Sequence, residues 1–180
     1  MRHALLVAIV LAALTGSAAV QAQDHAMMDH HMHTSAMAAD QRQPVSFPAE
    51  MRQHILANMR DHLQAMADIL TALSTGDYAK AAEIADARLG LDSPAAAGCK
   101  AGGDAAKNPQ MSLPMNMEQM MAQYMPEGMR NVGLAMHQSA SIFAGEAAKA
   151  ARAGEARPAL EALARVSQQC VACHSAYRVQ

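Results

Sequence analysis

Late in the chain stands Cys170-Val171-Ala172-Cys173-His174, and no other feature constrains the fold as tightly. Two thiols with two residues between them, followed at once by His, form the attachment pattern of c-type haem. At average residue usage a chance match in a chain this long is on the order of one in a thousand. Chemistry explains the spacing. The two thiols add covalently to the two vinyl groups of a porphyrin. On a helix, Cys170 and His174 share one face with Cys173 beside them. The imidazole then meets the iron from the side on which the thioethers hold the ring. A thioredoxin-like pair should instead open a helix after a strand, where the dipole lowers the thiol pKa. This pair falls in the last turns of the last predicted helix. A zinc site needs a fourth ligand and usually a second paired motif. One covalent haem c is the expected cofactor.

The rest of the chain must therefore wrap a large flat ring. Hydrophobic residues make up 52% of the 180 positions, yet aromatics reach only 3%, with no Trp and sixteen Met. Ala and Met favour helices, whereas the aromatic and β-branched strand formers are scarce, so an all-β fold is set aside. An interior this poor in rings is filled by thin side chains or by something that is not protein. The net charge of −2, with Lys and Arg scattered, excludes a nucleic-acid binder working through a basic face.

Residues 1–22 read as a signal peptide: Arg2 and His3, then an apolar run from Ala4 to Leu14, then small residues approaching Val20-Gln21-Ala22. Export to the periplasm is then expected, an uncleaved N-terminal anchor being the other reading. No later stretch approaches the ~20 continuous apolar residues of a membrane span, so no stable membrane insertion is expected after cleavage. Residues 23–47 read as a disordered tail rich in His and Met. His25, Met28, His30, His31 and His33 crowd it, and imidazole with thioether suits copper. A low-complexity spacer with incidental metal affinity is the other reading.

From residue 48 onward the pattern is helical. Met51, Ile55, Met59, Leu63, Met66, Leu70 and Leu73 recur at spacings of three and four and predict one helix with one apolar stripe. Asp77 is placed to cap a second helix running to about Leu89, with Gly90 at its C-cap. Residues 91–124 read as a long connection with a short helical turn at 115–124. A third helix is predicted over 126–153, ended by Gly154, and a fourth begins near Pro158. Together these predict an all-α fold, an antiparallel four-helix bundle over residues 48–180 with haem near the end of the last helix. His54 and His62 fall off the main stripe and are expected at the surface, and His137 at the surface or rim. The Met-rich run from Met111 to Met129 reads as packing over a haem edge or as Cu(I) ligation. Cys99 has no visible partner and is either a free thiol or the link of a homodimer.

The chain resembles the class II c-type cytochromes, meaning cytochrome c-prime and its low-spin relatives. The resemblance covers residues 48–180 and rests on three pieces: Cys170-Val171-Ala172-Cys173-His174-Ser175-Ala176-Tyr177-Arg178, Ala135-Met136-His137, and the segment Met59 to Met66. The long N-terminal tail and the enlarged loop with Cys99 depart from it. The resemblance implies that His174 is the proximal iron ligand and that Cys170 and Cys173 are the attachments. It also implies that Tyr177 and Arg178 contact the haem, with Arg178 near a propionate. Met59 falls where the family places the distal residue, a ligand in low-spin members and an apolar block in high-spin ones. The expected function is electron carriage between redox partner proteins rather than enzymatic catalysis. A five-coordinate haem protein binding NO or CO, and a copper-handling protein with a haem domain, are the alternatives.

Overall fold

The structure, a computed structural model, describes residues 39–100 and 116–180. Residues 1–22, expected to be a signal peptide, the tail residues His25, Met28, His30, His31 and His33, and the loop methionines Met111 and Met115 lie outside them.

Three long periodic stretches set the architecture, which is predominantly helical. Helix α1 spans Ala49–Ser74 and ends at Gly76, whose φ of 75° lies in the left-handed region that glycine adopts without strain. Asp77 then accepts a hydrogen bond from the Lys80 backbone N–H at 3.0 Å and caps α2, Tyr78–Ile84. This helix continues as a π-helical turn, Ala85–Leu89. Gly90 follows with extended rather than left-handed backbone. Its small size is needed for another reason: a Cβ there would lie 2.7 Å from the Asp86 carbonyl oxygen and 3.0 Å from Ser141 Oγ. Two short helices come next, α3 over Ala96–Lys100 and α4 over Met117–Tyr124, the latter opened by a capping box between Asn116 and Gln119. Helix α5 spans Glu127–Ala153 and stops at left-handed Gly154; α6 spans Arg157–Ala176 with Pro158 in its first turn.

Three expectations need correction. The connection over 91–124 carries α4 where a helical turn was expected, but also the unforeseen α3, which packs on α4 and α5. A helix of five residues has no sequence period to read and is held by such tertiary contact. The tail does not extend to residue 47. Strand β1, Gln43–Val45, pairs in parallel with β2, Tyr177–Val179, and both Val45 and Phe47 are buried. A three-residue strand gives no alternation long enough to detect, and Phe47 is one of only two Phe in the chain. Finally, the apolar stripe of α1 is not uniformly inward. Leu63 is 72% exposed and Leu70 54%, while Ala65, Ile69 and Ala72 are buried. Each step of four residues rotates about 40° around a helix of 3.6 residues per turn, so the run Met51-Ile55-Met59-Leu63 walks off the buried face.

Apolar residues gather into two clusters. One joins Ala65, Ile69 and Ala72 of α1 to Phe143 and the alanines of α5 and to Ala159, Ala162, Leu163 and Val166 of α6. The other joins Val45, Phe47 and Ile55 to Met121, Met125 and Met129. Helix α5 packs along α6 and α2, and α1 packs on α2, whereas close backbone packing does not join α1 to α6. No helix among the described residues is long and apolar enough to cross a membrane.

Candidate functional site

Where α1 and α6 stand apart there is a cavity of about 360 Å³, within the size range of small-molecule sites. Its walls are mostly apolar. Ile55, Met59 and Met66 come from α1, Met121 and Met125 from α4 and its end, Met136 from α5, and Val166 from α6. Members of both hydrophobic clusters therefore border it.

Residues of the motif form one side. Cys170, Cys173 and His174 all line the cavity, as do Met59, His62 and His137 from the opposite helices. Both motif thiols are free and half-buried, Cys170 against the first cluster and Cys173 against the second. Burial raises the pKa of each, and for Cys173 the neighbouring Cys170 adds to it. His174 is exposed at the cavity rim, and its backbone carbonyl accepts a hydrogen bond from Arg42 Nη1 at 3.4 Å. Val171 and Leu63 line the cavity while staying 64% and 72% exposed, so they mark its mouth.

Tyr177 and Arg178, expected at the cofactor, do not line this cavity. Helix α6 ends at Ala176 and the chain turns extended into β2. The helical spacing that would have set Arg178 one turn beyond His174 is thereby lost. Tyr177 packs instead in the cluster of Val45 and Met129, and Arg178 Nε lies 3.6 Å from Asp40 Oδ2.

Sequence reasoning also missed two cavity residues. His62, expected at the surface, is half-buried, and its Nε2 is enclosed with no hydrogen-bond partner. Burial lowers its pKa to about 4, and the neighbouring His137 adds to the effect. His137 is only 1% exposed. Its Nδ1–H donates to the Leu89 carbonyl oxygen at 2.8 Å, and burial lowers its pKa as well, so the ring is neutral with Nε2 unprotonated. The two rings meet edge to face, centroids 5.6 Å apart and planes at 83°. A usable signal was present: Met59, His62 and Met66 follow helical spacing and share a face, as do neighbours three and four apart on any helix.

A polar group closes the cavity near α4. Glu118 Oε1 lies 2.5 Å from His54 Nε2 and accepts from Asn58 Nδ2 at 3.2 Å. His54 is thus half-buried and paired rather than free at the surface. Cys99 also lines the cavity, with its Sγ against Gly133 of α5, where an added Cβ would lie only 2.6 Å away. Burial pushes its thiol up to about 11, with Cys173 and Glu118 contributing. A thiol so placed faces inward and is poorly sited to link two chains.

These residues fit a covalently held haem. Two free thiols and a histidine stand on one wall, thioethers and an unpartnered imidazole on the other, and the lining between them is apolar. No known protein family, curated protein or solved structure matches the chain.

Proposed function

We propose that the protein is an exported c-type cytochrome that carries single electrons and binds one haem within an antiparallel four-helix bundle. The observation that carries this reading is the placement of Cys170, Cys173 and His174 on the wall of one apolar cavity, opposite Met59 and His62. In the bundle, α1, α2 with its π-helical turn, α5 and α6 are the four members. Two pairings support an antiparallel α1 and α6: Ala65 to Ala72 share a cluster with Ala159 to Val166, while Met59 shares one with Cys173.

In this reading Cys170 and Cys173 form the thioethers and His174 supplies the proximal nitrogen. Haem bound there supplies a one-electron couple between ferric and ferrous iron. The methionines around the cavity exclude water, and Val171 and Leu63 leave an apolar edge through which a redox partner can approach. Periplasmic location and copper binding by His25, Met28, His30, His31 and His33 belong to the same proposal.

Pigment should stay with the polypeptide through acid-acetone extraction of the purified holoprotein. Release of the pigment refutes covalent attachment. A second reading, a five-coordinate haem that binds NO or CO, is favoured by one observation: Met59 packs into the cluster of Ile55 and Met129, as a steric residue would. A ferrous spectrum that shifts at once on adding CO supports that reading over electron carriage.

A further inference from the structure

We propose that His62, rather than Met59, is the distal ligand of the haem iron, with His137 as its positioning residue. The inference rests on the haem reading and deepens it. Met59 has its packing satisfied: it sits against an apolar cluster and a thioether asks for no partner. His62 is not satisfied. Its Nε2 is buried at the cavity with no hydrogen bond, an arrangement that is unfavourable unless something in the cavity meets the atom. An imidazole nitrogen facing the cavity without a partner is a good iron donor.

The surroundings hold that ring in place. The π-helical turn ends at Leu89, and its carbonyl fixes His137 through Nδ1. The His137 edge then stands nearly perpendicular to the His62 ring. Turns of this kind recur at functional sites. Arg88 of the same turn pairs with Asp61 beside His62 and reaches Asp68 at 2.7 Å, tying the turn to α1. Leu89, His137 and His62 thus form a chain from a backbone carbonyl to the cavity.

The test uses the full-length holoprotein and its visible and paramagnetic-resonance spectra. With His62 as ligand, the ferric wild type is low-spin and lacks the weak Met-to-iron band at the red end, and Met59→Leu stays low-spin. His62→Ala becomes high-spin, and added imidazole restores the low-spin spectrum. His62→Met gains the red band, and its reduction potential rises, since a Met ligand raises the potential of a His-ligated haem. His137→Phe keeps a ring against His62 but loses the bond to Leu89, so its low-spin fraction falls. His137→Asn, whose amide nitrogen replaces Nδ1, recovers it. A wild-type red band that disappears in Met59→Leu overturns the proposal in favour of Met59. A high-spin wild type overturns both ligands. Either result leaves covalent attachment standing, because extraction tests that separately.

Discussion

Gly133→Ala probes the wall that Cys99 forms on α5. Gly133 lies inside α5, where replacing Gly by Ala ordinarily gains about 1 kcal/mol. Here the new Cβ would lie 2.6 Å from Cys99 Sγ and 3.8 Å from its Cβ. Ordinary contact needs about 3.5–4 Å, so the sulfur must retreat by roughly 1 Å. Overpacking of this size costs about 1–3 kcal/mol, and the net change runs from neutral to about 2 kcal/mol destabilising. In a Cys99→Ala background the obstacle is gone and the same substitution should stabilise by about 1 kcal/mol. The sign reversal is the signature. Guanidinium denaturation of the four holoproteins, followed by circular dichroism, supplies the cycle, provided m stays constant across them. The expected coupling is about 1–3 kcal/mol. Additivity within about 0.5 kcal/mol would show that Cys99 does not press on Gly133, and the inward placement of that thiol would fall with it.

Alkaline pH should expose the same thiol. Its folded pKa is about 11 against an ordinary 9.0, so between these values the unfolded chain loses the proton first and stability falls as pH rises. The loss should reach about 2 kcal/mol by pH 11 in the wild type and be missing from Cys99→Ala, as denaturant midpoints measured against pH will show. Asp77→Ala removes the only side-chain cap on α2 and should cost about 1 kcal/mol in the same assay. His137→Leu fills the space but leaves the Leu89 carbonyl without its donor; a loss of about 1–3 kcal/mol is expected, and an unchanged midpoint would contradict the bond.

Long periodic segments were legible in the sequence, and so were their stops. Asp77, Gly76, Gly154 and Pro158 sit at helix ends as their chemistry demands. The motif could be placed on the last helix for the same reason: a run of twenty residues carries its own period. What was hidden depends on other segments. Nothing local marks 96–100 as helix, because those residues fold against α4 and α5. The strand at 43–45 exists only through its partner at 177–179, and that partner withdrew Tyr177 and Arg178 from the cavity. His62 was misplaced by judging its face from a stripe that includes Leu63, although Leu63 itself proves exposed. The stripe that matters passes through Ile55, Met59, His62 and Met66 instead, and all four line the cavity.

That stripe connects the composition to the proposed cofactor. The chain has two Phe and no Trp, and both Phe are already spent in the clusters on either side of the cavity. Elsewhere alanines line the helix contacts of α5 and α6, which lets those backbones approach closely. At the cavity the pattern changes from alanine to methionine. Long flexible thioethers suit an irregular space that a rigid occupant must enter, because they repack around it at little strain. Interiors are otherwise close-packed, and an apolar gap this large forfeits the dispersion contacts of every side chain around it. The covalently tethered ring of the proposed function would restore those contacts. Its iron would find, in the proposed arrangement, the buried Nε2 of His62, the one histidine nitrogen among the described residues that is enclosed without a partner. If haem is bound as proposed, the scarcity of aromatic residues, the run of methionines and the unpartnered Nε2 of His62 share one explanation, an interior built around a ring that the polypeptide does not itself supply.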